Sequence, residues 1–258
     1  MTTKKQFIIA GNWKMNPITH KEAQTLFASY KRLARSFPSL AFTACVPAVY
    51  LEPLSRKNKE SLVTLGAQNI YCEDQGSYTG AISVPMVQDS GGTTVIIGHS
   101  ERRRLFGVGD ELISKKIKQA IAHNMPMIVC FGEEDRDEQG QYTEELEKQL
   151  RAILTPFVNQ RKNKLLTLAY EPVWAIGSGA KRAVGQDELF STMILIKNII
   201  ASILGEHASK TIPVLYGGSV NADNAGMLAT VPGVSGFLIG RASLAGDSLK
   251  AIAQSVTN

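Results

Sequence analysis

Cysteine is scarce in this chain. Its three thiols, Cys45, Cys72 and Cys130, are an odd number with no C-x-x-C spacing, which argues against a disulfide framework or a zinc knuckle. Cys45 and Cys130 lie inside the apolar runs FTACV and MIVCF, where a thiol is expected to be a small buried hydrophobe rather than a nucleophile. Long apolar runs are missing as well. None approaches the roughly 20 residues that cross a bilayer, so no membrane partner is expected. The opening MTTKK precedes only the short run FIIAGNW and then polar residues, too short and without the small-residue cleavage site of a secretory signal. A cytoplasmic location is expected.

Other absences narrow the chemistry. No Pro/Ser-rich linker or composition break divides the 258 residues, so one domain over 1–258 is expected, within the range of a large α/β barrel. Charge of neither sign dominates: 28 basic against 23 acidic residues leave a formal +5, which suits an anionic small molecule as well as nucleic acid. The basic clusters KRLAR (31–35) and Arg102–Arg104 are not interleaved with aromatics as a single-strand groove would be. The first reads as a solvated helix face, and no nucleic-acid partner is expected. No H-E-x-x-H spacing, G-x-S-x-G elbow or G-x-G-x-x-G after the first apolar run occurs, and neither metal nor cofactor is expected.

What is present is a repeating unit. Apolar, β-branched runs recur as FIIAGNW (7–13), AFTACV (41–46), LVTLGAQ (62–68) and TTVIIGHS (93–100). They continue as MPMIVCFG (125–132), LLTLAYEPV (165–173), IPVLYGGS (212–219) and VSGFLIG (234–240). Their length and composition predict eight buried strands. Thr19 followed by Glu22 has capping-box spacing ahead of AQTLFASYKRLA. ELISKKIKQAIAHN (111–124) and EELEKQLRAILTPF (144–157) place apolar residues three and four apart, and DELFSTMILIKNIIASIL (187–204) is apolar enough to pack between neighbours. Helix signals after the third, seventh and eighth runs are weaker. Apolar strands alternating with helices mean a helix-covered parallel sheet. Eight such units in this length predict a closed (β/α)8 barrel.

In such a barrel, chemistry gathers where the strands end. The polar residues directly after the runs are Asn12 and Lys14; His99, Ser100 and Glu101; Glu133; Glu171; Gly217, Gly218 and Ser219; Gly240 and Arg241. Glycine loops leading into helices offer backbone N–H groups to phosphate. A carboxylate with a neighbouring donor suits proton abstraction beside a carbonyl. Position and residue type therefore point to a metal-free enzyme acting on a phosphorylated carbonyl compound, and leave Glu171 and Glu133 both open as its base.

The segments GNWKMN (11–16), GAQN (66–69), IIGHSERR (96–103), YEPVWAIGSG (170–179) and YGGSV (216–220) closely resemble the signature segments of triosephosphate isomerases, in that family's order and spacing. The resemblance implies a TIM barrel interconverting dihydroxyacetone phosphate and D-glyceraldehyde 3-phosphate through an enediolate, in glycolysis and gluconeogenesis. By the same resemblance Glu171 is the base, and His99 is an uncharged electrophile at the substrate carbonyl. Lys14 and Asn12 attract and fix the anionic substrate, and backbone N–H groups near Gly177, Ser219, Gly240 and Arg241 hold its phosphate. WAIGSGA (174–180) resembles a mobile lid with its leading hinge at 172–174, braced by Glu133 through Trp174. Ser100 and Glu101 are expected to support the site or to cap a helix, and His20, His123 and His207 to be plain surface residues.

The chain departs from the family at several points. It reads TGA, with Ala81 where relatives commonly hold an acid that pairs with the counterpart of Arg102 across a dimer interface. The loop bearing Tyr78 and Thr79 still resembles the family's interdigitating loop, so a homodimer is expected without that ion pair. Gly240-Arg241 replaces two glycines, Val108 replaces a common acid, and the lid continues GSGAKRA. Two rival readings remain: another phosphate-binding barrel of amino-acid biosynthesis, which leaves GNWKMN and YEPVWAIG unexplained, and a catalytically retired barrel serving as a binding module, against which the four intact catalytic positions count.

Overall fold

The computed structural model describes residues 6–60, 62–137, 139–176 and 182–257. Eight strands form the sheet: β1 (Phe7–Asn12), β2 (Leu40–Val46), β3 (Thr64–Ala67), β4 (Thr94–Ile97), β5 (Met127–Phe131), β6 (Leu166–Tyr170), β7 (Val214–Tyr216) and β8 (Gly236–Ile239). All pair in parallel and in chain order, and the sheet closes where β8 returns to β1 with Ile8 opposite Gly236 and Gly11 opposite Ile239. The expected (β/α)8 barrel is what forms.

The strands are shorter than the apolar runs that announce them. IPVLYGGS contributes only three residues to β7, because the polar and glycine ends of these runs leave the sheet to build the βα loops. The helices among the described residues are α1 (His20–Ser36), α2 (Leu51–Ser55), α3 (Val84–Asp89), α4 (Ser100–Phe106) and α5 (Asp110–Ala122). They continue with α6 (Tyr142–Leu154), α7 (Gln186–Leu204), α8 (Glu206–Thr211), α9 (Ala222–Ala229) and α10 (Gly246–Thr257). The capping box of α1 is present in both directions, Thr19 Oγ1 accepting from Glu22 N–H and the Glu22 carboxylate from Thr19 N–H. The expected helix at 144–157 stops being α-helical at Leu154, where Pro156 forces a 3-10 turn over Thr155–Phe157.

Two cores follow from the period-2 geometry of the strands. Outward residues such as Ile9, Phe42, Val95, Val129, Leu168 and Phe237 join the helices in one large cluster. Inward residues form a separate cluster inside the barrel, including Ala10, Cys45, Ile96, Cys130, Ala169, Leu215 and Leu238. Both buried cysteines lie in this inner plug, and burial pushes the Cys45 thiol up to about 12, so it stays protonated.

The same parity positions the site. Two residues beyond Ala10, Ala169, Leu215 and Leu238 stand Asn12, Glu171, Gly217 and Gly240, which continue the inward face at the C-terminal mouth of the barrel. On β4 the phase changes at Gly98, whose φ of 75° is one that glycine adopts at little cost. A side chain there would also press on the Cys130 carbonyl oxygen at 3.1 Å. That turn delivers His99 to the mouth instead of its neighbour.

Candidate active site

Asn12, Lys14, His99 and Glu171, drawn from the ends of β1, β4 and β6, line one cleft of about 440 Å³. Ser219, Gly240 and Arg241 line the same cleft. Gly177, also expected there, lies outside the described residues, as do the other residues 178–180 of the expected lid.

Glu171 is almost fully buried. Its backbone N–H donates to the Phe131 carbonyl (2.7 Å), its Oε2 accepts from Ser100 N–H (2.9 Å), and its Oε1 stands 3.2 Å from His99 Nε2. His99 caps α4, and its Nδ1 accepts from Glu101 N–H at 3.2 Å. Nδ1 therefore carries no proton in this arrangement, and the imidazole presents Nε2–H to Glu171 and the cleft.

Lys14 adopts an uncommon backbone for a side-chain-bearing residue, φ 53°, which costs about 1 kcal/mol. Three contacts hold it there. Its N–H donates to Asn12 Oδ1 (3.0 Å), its carbonyl accepts from Gln68 Nε2 (2.8 Å), and its Nζ meets Glu101 Oε1 at 2.5 Å. Gln68 also donates to the Cys45 carbonyl (3.1 Å), tying the β1 loop to β2. The ammonium is part-exposed, so its pairing with Glu101 steers it without removing it from the cleft. Gly240 packs beside it, since a Cβ there would sit 3.1 Å from Lys14 Cε.

The second carboxylate left open by the sequence is placed differently. Glu133 is fully buried and does not line the cleft. Its Oε1 accepts from Tyr170 OH (2.8 Å), Trp174 Nε1 (2.9 Å) and Arg136 Nη1 (3.0 Å), and its backbone carbonyl accepts from Val173 N–H (3.0 Å). It holds the chain just after Glu171, as expected of a brace. Ser219 Oγ donates to the Ala175 carbonyl (3.0 Å), a second tie on the same stretch. Arg241 opens a 3-10 turn with negative φ, so the departure from glycine leaves its backbone N–H in a conformation any residue adopts. Its side chain is exposed.

Some expectations need correcting. His123 is half-buried and bonds Asp74 (2.7 Å) and Gln119, joining the β3 loop to α5, rather than standing free on the surface. His20 and His207 are exposed as expected. Ser100, expected to support the site or cap a helix, donates its backbone N–H to Glu171. Sequence reasoning gave no role to Gln68, Arg136 or Arg182. Gln68 lay within the quoted GAQN and Arg182 within the quoted GSGAKRA, but nothing local marked a partner for either arginine. Among the described residues no group of three or more His, Cys, Asp and Glu side chains is arranged to hold a metal ion. Nor is any described helix long and apolar enough to cross a membrane.

The family model for triosephosphate isomerase matches residues 7–256. The chain is 38% identical over 242 residues to a triosephosphate isomerase of Roseiflexus castenholzii, covering 93% of this chain and 94% of that one. It is 39% identical over 249 residues to one of Dehalococcoides mccartyi, covering 96% and 95%. A third, of Lawsonia intracellularis, is 36% identical over 249 residues, covering 96% and 97%. The chain belongs to the triosephosphate isomerase family. Its activity is accordingly that of an isomerase.

Proposed function

We propose that this chain interconverts dihydroxyacetone phosphate and D-glyceraldehyde 3-phosphate, with Glu171 as the base and His99 as the electrophile. The observation that carries the reading is the pairing of the buried Glu171 carboxylate with His99 Nε2 at 3.2 Å on the wall of a cleft of about 440 Å³. A substrate carbon beside the carbonyl gives its proton to Glu171, and His99 Nε2–H donates to the carbonyl oxygen as it gains charge. The enediolate so formed carries the negative charge left by that proton. The proton held on Glu171 returns to the neighbouring carbon, while the hydroxyl proton passes to the former carbonyl oxygen by way of His99 Nε2, so that hydroxyl and carbonyl exchange places.

Lys14 offsets the developing negative charge, and Asn12, whose Oδ1 holds the Lys14 backbone, fixes the oxygens with it. The backbone at Gly177, Ser219, Gly240 and Arg241 receives the phosphate. The segment 174–180 is the lid, which excludes water and so strengthens each of these hydrogen bonds. Proton transfer alone completes the reaction, so it calls for no metal or cofactor. The reading extends to one domain over 1–258 and a cytoplasmic role in glycolysis and gluconeogenesis.

The chain is also proposed to work as a homodimer. Met15, Ile18, Val49 and Met86 follow β1, β2 and β3, neighbours in the barrel, and all are more than half exposed. Such a set of apolar tips on one side of the rim suits burial against a second copy. Arg102, lacking the acid at Ala81, rests its guanidinium over the Phe106 ring, 4.5 Å from the centroid.

The test is isomerisation of glyceraldehyde 3-phosphate by the purified protein and by its Glu171→Gln variant. Turnover that collapses by several orders of magnitude in the variant is expected. A folded wild-type protein without turnover would leave the retired barrel as the better account.

A further inference from the structure

Trp174, three residues beyond Glu171, is held from two sides. Its indole N–H donates to Glu133 Oε1 (2.9 Å), and its ring carries the Arg182 guanidinium, whose Cζ lies 4.5 Å from the centroid. Arg182 is in turn fixed by a two-pronged bond to Glu188 of α7, Nη1 to Oε2 at 2.7 Å and Nη2 to Oε1 at 2.8 Å. Glu188 Oε1 also stands 3.4 Å from Arg136 Nε, and Arg136 Nη1 donates to Glu133 Oε1 at 3.0 Å. The contacts close a ring of five side chains, from Trp174 through Glu133, Arg136, Glu188 and Arg182 back to Trp174.

We propose that Arg182 is a positioning residue for Glu171, acting through Trp174; the inference rests on the reading of Glu171 as the base. Upstream, the sheet fixes Glu171: its N–H bonds the Phe131 carbonyl, and the Tyr170 carbonyl accepts from Gly217 N–H. Downstream, the chain is held by Trp174 and Val173 on Glu133 and by the Ala175 carbonyl on Ser219 Oγ. Glu133 Oε1 is shared among three donors while Oε2 has no partner among the described residues. An acceptor divided in this way holds each donor less firmly, and the ring face of Trp174 gives that side chain a support of its own.

A guanidinium already locked on a carboxylate is well suited to that task. Its plane is preorganised, so little further order is lost when the indole packs against it. Arg182 is itself half-exposed, so its ion pair is worth little to overall stability and its effect falls on Trp174. With Arg182 gone, Trp174 gains freedom that Pro172 and Val173 pass back to the Glu171 carboxylate. Misplacing a reacting group slows the chemical step more than it weakens substrate binding.

The experiment measures kcat and KM of the purified full-length protein and of Arg182→Ala and Arg182→Lys. The indole N–H resonances of both tryptophans are followed by NMR in each. Arg182→Ala is expected to lower kcat about three- to tenfold with KM within about twofold, and to shift one indole resonance while the other stays in place. Arg182→Lys, which keeps a cation near the ring but loses the two-pronged bond, is expected to recover part of kcat. An unchanged kcat, a loss confined to KM, or a lower kcat with neither indole resonance moved would overturn the proposal. Failure of the base assignment shows separately, as full turnover in Glu171→Gln whatever Arg182 does.

Discussion

Gly132 stands against the main chain of Glu171: a Cβ at position 132 would lie 1.7 Å from the Glu171 carbonyl oxygen and 2.5 Å from its carbonyl carbon. Gln149 of α6 keeps Gly132 there, accepting from its N–H (3.1 Å) and donating to its carbonyl (3.0 Å). A methyl group at 132 has backbone in its way, with no flexible side chain to yield. Gly132→Ala is therefore expected to displace Glu171, lowering kcat by about 100-fold and stability by about 2 kcal/mol. Kinetics with urea unfolding would check both, and activity within threefold of wild type would refute the relationship.

The two carboxylates should separate cleanly on substitution. Glu171→Gln removes the proposed base. Glu133→Gln leaves the base in place but takes the charge from the buried pair with Arg136, at a cost of about 2 kcal/mol. The expected pattern is a lost reaction with a stable fold for the first, and a weakened fold with kcat reduced no more than about tenfold for the second. The reverse pattern would reassign the base.

Gln68 keeps Lys14 in its left-handed backbone through the 2.8 Å bond to the Lys14 carbonyl. Gln68→Leu preserves much of the volume and removes that bond. The Lys14 backbone is then expected to relax and withdraw the ammonium from Glu101 and the cleft, lowering kcat/KM about tenfold. Steady-state kinetics at low ionic strength would show this, and an unchanged kcat/KM would mean that Asn12 and Glu101 suffice.

Lys116 of α5 is almost fully buried, with its Nζ donating to Asn69 Oδ1 at 2.7 Å. Burial, and then the charge of nearby Arg102, push its ammonium down to about 8. Between that value and the ordinary lysine range the unfolded chain binds more protons than the folded one, so stability rises with pH there. Below pH 8 both states are protonated and the penalty stays in full. Lys116→Met should stabilise the protein at pH 7 by about 2 kcal/mol and remove the rise in stability between pH 8 and 9.5. Urea unfolding across that range is the check, and parallel curves for both proteins would contradict it.

The apolar tips of the β1 loop are the sharpest test of the homodimer. Met15 and Ile18 are both more than 90% exposed in the single chain. Sedimentation equilibrium is expected to give twice the 28.0 kDa of one chain. The double variant Met15→Lys, Ile18→Lys is expected to give one chain, because it would place two cations in an apolar interface. A monomeric wild-type protein would end the proposal.

Much of this molecule was legible in its sequence, because strands and helices write themselves as local periodicities. Eight β-branched runs alternating with amphipathic stretches specified the barrel, and the Thr19–Glu22 spacing marked the start of α1 to the residue. Strand parity carried Asn12 and Glu171 to the mouth for the same local reason. Position and residue type alone could not say which carboxylate faces the cleft, since Glu133 and Glu171 both follow apolar strands. That was decided by Tyr170, Trp174 and Arg136, which converge on Glu133 and leave Glu171 to His99 and the Ser100 N–H. The pairing of Lys14 with Glu101, 87 residues away, and the seat of Arg182 on Trp174 belong to the same class. A side-chain partnership between loops depends on where closed strands bring their ends together, and no periodicity within either loop records it.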